Sequence, residues 1–518
     1  MRSRRPVLPQ AVALLGGLGF ASLGFAVLDS TPDARATARR PPHTFLSPAA
    51  EPIAAPETSS QSSAPAPLQT APRDAAALTR EATRRLQDYI RIDTSNPPGD
   101  VRQAAEFVAG LLEREGVPVT RYQSAPDRII VVGRLKGAGR GKPILLLHHM
   151  DVVPADRMRW KVDPFAGVVD GGYVWGRGAM DMKGLGIIHL LAFLEIKRRG
   201  VPLDRDIVLM AVPDEEVGGE LGARWMIEHH WDALDPEYVL DEGGLGSRDL
   251  FAPNRLVFGI SVAEKKILWL RVRAEGEAGH GSQPHDRNPN DRLVRALARV
   301  LAEPPPPGGG PVLEAMRRRL GELARNRFTH AIQHSTMSLT SLRAGVGEPP
   351  KVNVIPSVAE ATLDCRLLPG VGARRWLEEL RRRLGDPELT VDVIYESPDP
   401  VVTPHDTPLF RALASAITRR YPDAVVTPTL IPYGTDANSF RARGVHGYGL
   451  TPMILPAEVV ASMHGDAERL PVDGLGDAIL ILADALVQVA GRPPSAVLPA
   501  PGPHRGSSVR AGTSASRL

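Results

Sequence analysis

Apolar positions along the chain fall into two regimes. Up to residue 263, helical spacing alternates with short, continuously apolar runs. Residues 75–92 and 101–116 repeat apolar side chains every three or four positions, as amphipathic helices do. Residues 128–135 and 143–148 read as strands, and the second is so uniformly apolar that both its faces must be covered, as in a parallel sheet. A helix over about 185–199 leads to a strand at 206–212, and another helical stretch precedes Tyr238-Val-Leu240. This alternation predicts an α/β fold with a mostly parallel sheet and short loops at the strand ends.

After residue 263 the strands become half polar. Lys266-Ile-Leu-Trp-Leu-Arg-Val-Arg273 and residues 359–366 alternate, residues 291–301 and 372–384 have helical spacing, and 389–394 closes the set. Such strands suit a small α+β (ferredoxin-like) unit covered on one face only. Helix and strand signals resume at 406. The economical arrangement is a main domain formed by residues 73–263 and 397–491, with a second domain, 264–396, inserted into it.

The ends have a different texture. Residues 31–72 are rich in Ala, Pro, Ser and Thr and read as a disordered linker, and 492–518 as a tail of the same kind. Residues 1–30 combine a basic start with an uncharged stretch from Pro6 to Leu28, the pattern of an export signal or a retained membrane anchor. Ser3-Arg4-Arg5-Pro6-Val7-Leu8 resembles the bacterial twin-arginine signal. The expected location is periplasmic, extracellular or membrane-anchored.

Composition narrows the chemistry. Lys and Arg total 62 against 59 for Asp and Glu, a formal charge of +3 that gives no footprint for nucleic acid. The single cysteine, Cys365, rules out an intrachain disulfide and a thiolate metal cage, and reads as a buried apolar residue. Any metal must be held by His, Asp and Glu.

Those residues cluster after apolar strands: His149-Met-Asp151, Asp214-Glu215-Glu216 and Asp241-Glu242. The carboxyl ends of strands in an open α/β sheet line one crevice, where so many carboxylates repel one another unless cations are bound. Imidazole with carboxylates suits zinc or a neighbouring first-row ion. Of the paired histidines, His149 shares a side of the extended chain with Asp151, which would orient its ring, whereas His148 faces away and reads as a packed core residue.

The ordered set His149-x-Asp151, Gly176-Arg-Gly-Ala-Met-Asp181-Met-Lys-Gly184, Glu215-Glu216, Glu242, Gly279-His280-Gly-Ser282 and His464 resembles the dinuclear zinc amidohydrolases. That family includes aminoacylases, carboxypeptidases G and S, and succinyl-diaminopimelate desuccinylase. Tyr238-Val-Leu-Asp-Glu-Gly-Gly244 and Met463-His-Gly465 are most similar to the carboxypeptidase S and N-acyl amino acid hydrolase branch. The resemblance implies that Asp181 bridges two zinc ions, for which cobalt or manganese can substitute, and that a cis peptide follows it. One ion would take His149 and Glu242, the other Glu216 and His464.

Glu215 would be the general base, taking a proton from the attacking water and passing it to the leaving amine. The inserted domain would be a lid and dimerisation domain, with His280 stabilising the oxyanion, often in the partner subunit's site. Asn353 and Gly434 would contact substrate, and Arg366 would grip its free carboxylate with two parallel hydrogen bonds. The implied activity is hydrolysis of an amide in an N-acyl amino acid or small peptide, as a deacylase or alternatively as a carboxypeptidase or dipeptidase. A non-catalytic binder on the same fold would lack Glu215 or a ligand, and none is missing. A two-metal phosphoesterase would need a denser basic surround.

Overall fold

A computed structural model describes residues 74–492. The segments read as export signal or anchor and as linker lie outside the described residues, as does nearly all of the tail. Among the described residues no helix is long and apolar enough to cross a membrane.

The chain opens with helices α1 (Ala75–Ile90) and α2 (Arg102–Arg114), then strands β1 (Val119–Ala125), β2 (Arg128–Leu135) and β3 (Ile144–His149). Asp74 caps α1 by accepting the Ala77 N–H at 2.6 Å. Helix α3 (Lys183–Arg198), β4 (Ile207–Val212), α4 (Ala223–His229), β5 (Tyr238–Ser247) and β6 (Val257–Glu264) follow. Next come β7 (Lys266–Glu275), β8 (Gly279–His280), α5 (Pro289–Ala302), α6 (Pro311–Leu320), α7 (Arg327–Gln333), β9 (Thr336–Ala344), β10 (Val354–Ile355), β11 (Val358–Leu367), α8 (Ala373–Leu384) and β12 (Thr390–Glu396). The chain then returns through α9 (Pro408–Arg420), β13 (Val425–Ile431), β14 (His446–Ile454) and α10 (Leu475–Ala490).

Eight strands form one sheet in the order β1-β2-β4-β3-β5-β14-β6-β13. At its centre β3 runs parallel to both β4 and β5, and β14 parallel to β5; β13 runs parallel to β6 at one edge, whereas β1–β2, β2–β4 and β14–β6 pair antiparallel. The alternation within β3 separates its two sides. Ile144 and Leu146 belong to the core beneath α1, α3 and α10, whereas Leu145 and Leu147 pack with Met226 and Phe440 on the opposite face. Both faces are covered, which is why this strand is apolar throughout.

The second sheet, β9-β11-β7-β12, is antiparallel and has a core of its own. One face, with Leu268, Leu270, Leu363 and Cys365, packs with Leu293, Leu297 and Leu380 of α5 and α8. Burial pushes the Cys365 thiol up to about 12, as fits an inert apolar residue.

Two features of the 264–396 segment differ from the sequence expectation. Edge strand β9 was not foreseen, because most of its residues are exposed and its Ser/Thr-rich stretch carries no apolar stripe. Helix α6, although within the inserted segment, puts Val312, Leu313, Met316 and Leu320 into the core of the large sheet. The chain therefore crosses between the two cores more often than a single insertion requires.

Candidate metal centre and active-site cleft

The sheet order delivers the acids to one place. Because β4, β3 and β5 are adjacent and parallel, their carboxyl ends open at one edge. His149 ends β3, and Glu215 and Glu216 form a short 3-10 turn just after β4. Asp241 and Glu242 lie inside β5, beyond Leu240, the last β5 residue paired with β3. Their side chains therefore emerge where the pairing with β3 has stopped. Asp181 stands just before α3, and its peptide bond to Met182 is cis.

Two triads share Asp181. His149 Nε2 lies 3.2 Å from Asp181 Oδ1 and 3.8 Å from Glu242 Oε1. His464 Nε2 lies 2.9 Å from the other oxygen of Asp181, Oδ2, and 3.3 Å from Glu216 Oε2. Within each triad the ligand atoms lie within 4.8 Å of one another. Glu215 belongs to neither triad, though its Oε2 is 4.0 Å from His149 Nε2.

The electrostatics call for cations. Burial, together with nearby Glu216, Asp436 and Asp181, holds the Glu215 carboxyl well above the usual range, and burial with Asp181 does the same to Glu242. His149 is lifted well above an ordinary imidazole: burial opposes its charge, but the hydrogen bond to Asp181 and the surrounding carboxylates outweigh burial. Hydrogen bonds to Asp181 and Glu216 raise His464 to about 10. Glu216 Oε1 is buried with no hydrogen-bond partner among the described residues. Imidazole and carboxylate donors, crowded acids and an orphaned carboxylate oxygen together fit a metal centre.

Asp151 acts differently from the sequence expectation. His149 Nδ1 lies 2.9 Å from the main-chain carbonyl of Asp151, which fixes the ring, while the nearest carboxylate oxygen is 3.7 Å away. The buried carboxylate instead accepts Asn96 Nδ2 at 2.9 Å and the backbone N–H groups of Glu215 and Glu216 at 3.2 and 3.3 Å. His148 faces away from the two triads. It packs beneath α3, where a side chain at Gly186 would meet its ring at 2.6 Å, and its Nε2 is 3.4 Å from the Tyr89 hydroxyl.

A cavity of about 430 Å³ opens over the two triads. Its floor includes Asp181, Glu215, Glu216, Glu242 and His464, and Arg366 and Gly434 line it as expected. The alternation of β11 that buries Cys365 under the helices puts Arg366 on the cleft side. Its guanidinium is already paired with Asp364, Nε to Oδ1 at 2.7 Å and Nη2 to Oδ2 at 3.1 Å.

His280 and Asn353 do not line this cavity. His280 is exposed, its Nδ1 accepts the Ser282 N–H at 3.2 Å, and its strand β8 pairs with β10, next to Asn353.

Other cleft residues were not foreseen. Arg224, on the first turn of α4, carried no sequence signal. Ile267, Trp269 and Tyr395 form an apolar wall, with the Trp269 and Tyr395 rings 5.1 Å apart. Alternation could have placed Ile267 and Trp269 together, since both lie on the polar side of an otherwise regular strand. Glu468 is fully buried and accepts the N–H groups of Met180 and Asp181 at 2.9 and 3.0 Å while pairing with Arg177 at 2.6 Å. Four residues after His464, it looks like any loop acid in the sequence, yet it fixes the loop that carries the shared aspartate.

The sequence matches the family described as "Peptidase family M20/M25/M40" over residues 145–488. It is similar to aminoacylase-1 of Mus musculus, 28% identical over 395 residues, covering 75% of this chain and 90% of that protein. It is also similar to the N-fatty-acyl-amino acid synthase/hydrolase PM20D1 of Mus musculus, 29% identical over 429 residues, with 75% and 83% covered. Among solved structures, human carnosine dipeptidase 1 shares the fold with a TM-score of 0.61 at 18% identity, over 80% of this chain and 97% of that one. An M20 family metallo-carboxypeptidase from Sulfolobus solfataricus also reaches 0.61 at 18% identity, over 78% and 98%.

Proposed function

The chain belongs to peptidase family M20/M25/M40 and is a metal-dependent hydrolase, and from that premise we propose a dinuclear zinc enzyme that cleaves the amide of N-acyl amino acids bearing a free carboxylate. The observation that carries this reading is the pair of triads sharing Asp181, with Glu215 beside them and outside both. His149, Asp181 and Glu242 would hold one ion, and Asp181, Glu216 and His464 the other. Zinc held there polarises a carbonyl and makes water a better nucleophile near neutral pH.

Glu215 takes a proton from the attacking water as its oxygen bonds to the amide carbon, then gives it to the nitrogen as the C–N bond breaks. A carboxylic acid and an amine result. Asp151, bonded to the backbone of Glu215 and Glu216, holds the base at a fixed height over the cleft floor. The wall of Ile267, Trp269 and Tyr395 suits an apolar acyl or side-chain group, and the guanidinium groups of Arg224 and Arg366 suit a carboxylate.

His280 is exposed and outside its own chain's cavity, and strand β9 leaves an edge bearing the exposed Leu339 and Leu342. We extend the proposal to a homodimer through the inserted domain, in which His280 of one copy reaches the oxyanion in the cleft of the other.

The test is a hydrolysis screen of the zinc- or cobalt-loaded protein against acetyl-, long-chain-acyl- and aminoacyl-amino acids. Cleavage of the acyl series supports the deacylase reading. Cleavage of the aminoacyl series alone makes the protein a peptidase, and cleavage of none defeats the proposal.

A further inference from the structure

The carboxylates of the cleft floor are hydrogen-bond acceptors, whereas amide hydrolysis builds negative charge on the carbonyl oxygen and calls for donors aimed at it. His280 stands outside its own chain's cavity, so a donor supplied by the same chain must come from another residue. Three of the cleft's hydroxyls are engaged elsewhere. Thr435 Oγ1 donates to Glu264 at 2.8 Å, Ser397 Oγ donates to the Pro398 carbonyl at 3.3 Å, and the Tyr395 hydroxyl accepts Arg224 Nη2 at 3.5 Å.

Tyr433 is placed differently. It lies two residues after β13 and lines the cavity half-buried, and its hydroxyl donates at 3.4 Å to the carbonyl of Gly243, the residue after Glu242. Burial, with the charges of Glu242, Asp181, Asp241 and Glu215, raises its phenol well above the usual value, so the group beside the triads is a neutral O–H. At 3.4 Å the bond to Gly243 is long, and little is lost when the hydroxyl turns to a charged acceptor.

The loop that carries Tyr433 is fixed on both sides. Before it, Ile431 is in register with Glu264 of β6; after it, the Glu264 carboxylate accepts the Thr435 N–H at 3.1 Å, and Asp241 accepts the Ala437 N–H at 2.9 Å. Glu264 is itself buried and paired with Arg441 at 2.8 Å. A donor positioned before substrate arrives acts without reorganisation at the moment of reaction.

We propose that the Tyr433 hydroxyl donates a hydrogen bond to the oxyanion formed when water adds to the substrate amide. This assignment rests on the amide-hydrolase reading of the site. As the water oxygen bonds to the amide carbon, the π electrons of the carbonyl move onto its oxygen, and Tyr433 donates to that oxygen while keeping its own proton. When the C–N bond breaks and Glu215 gives its proton to the nitrogen, the carbonyl re-forms and the bond from Tyr433 weakens. Tyr433 thereby supplies from within one chain the kind of donor that His280 supplies from a second copy.

The test separates binding of the planar amide from binding of a tetrahedral anion. In zinc-loaded protein, Tyr433→Phe should lower kcat for N-acetyl-L-phenylalanine by about 10²-fold at nearly constant KM. In the zinc-loaded Glu215→Gln protein, calorimetric titration compares N-acetyl-L-phenylalanine with its phosphinate isostere, in which a tetrahedral P–O⁻ group replaces the amide carbonyl. The isostere should bind more tightly than the amide. Adding Tyr433→Phe should weaken the isostere by about 10-fold or more and leave the amide nearly unchanged.

Undiminished turnover, equal weakening of the two ligands, an isostere that binds no better than the amide, or loss of bound metal from Tyr433→Phe overturns the inference. Wild-type protein that cleaves no amide defeats the proposed function instead, while the split between the two ligands still decides the role of Tyr433.

Discussion

Oδ1 of Asp151 accepts the backbone N–H of Glu215 at 3.2 Å, so the acid two residues after the proposed ligand His149 holds the proposed base by its main chain. The imidazole of His149 is held separately, by the carbonyl of the same residue. Truncating the Asp151 side chain should therefore harm the base more than the metal site. Asp151→Ala is expected to lower kcat by about 10²-fold through displacement of the 215–216 turn. Bound metal, measured by elemental analysis, should remain near the wild-type amount; loss of one equivalent would show that the carboxylate serves the ligand instead.

Glu215→Gln removes the proton acceptor without emptying either triad. Turnover should fall by about 10²–10⁴-fold while metal content stays unchanged. Substantial residual turnover would remove Glu215 from the role of base.

The two adjacent histidines give a direct contrast. His149→Ala should release one metal equivalent, since it is the only imidazole in its triad. His148→Ala should keep both equivalents and cost about 1–3 kcal/mol of stability, because it opens a hole between β3 and α3 and removes the Tyr89 contact. Chelator titration and thermal melts separate the outcomes.

Metal removal should make stability depend on pH with a definite sign. In the metal-free protein His464 is raised from 6.5 to about 10, so its contribution is complete below pH 6.5 and is lost as pH rises toward 10. Asp241, raised by burial from 3.8 to about 6, loses its contribution over a lower window in the same direction. Metal bound at the proposed ligand His464 takes the place of its proton. The gap in Tm between loaded and chelated protein should widen from pH 6.5 to 10, and a constant gap would argue that His464 is not a ligand.

If His280 acts in the neighbouring copy, His280→Ala and Glu215→Gln proteins should each be nearly inactive alone. Coexpressed, they should regain activity, because a mixed dimer contains one cleft with both residues intact. A coexpressed sample as inactive as its components would rule out the exchange.

Much of the catalytic floor was legible because it follows from chain-local rules. Continuous apolar runs marked strands covered on both faces, and the residues just after them had to lie at one edge of a parallel sheet. Alternation within β3 separated His149 from His148 before any contact was known. What stayed hidden depends on packing between distant segments. Glu468 gains its meaning only from the N–H groups of Met180 and Asp181, nearly 290 positions away, and Arg224 only from facing a wall built by the other sheet. Edge strand β9 escaped because a half-exposed strand needs no apolar stripe. Arg366 was placed in the cleft, but its engagement with Asp364 depends on rotamers that spacing does not reveal.

The floor that carries the two triads and the aromatic wall above it are anchored in separately packed cores. Ile267, Trp269, Arg366 and Tyr395 sit on a sheet whose other face is filled by α5 and α8, whereas His149, Asp181, Glu216, Glu242 and His464 rest on the large sheet. A substitution that reshapes the wall therefore leaves the packing under the two triads intact. Substrate preference in such an architecture can drift, or be engineered, one side chain at a time while the hydrolytic chemistry stays constant.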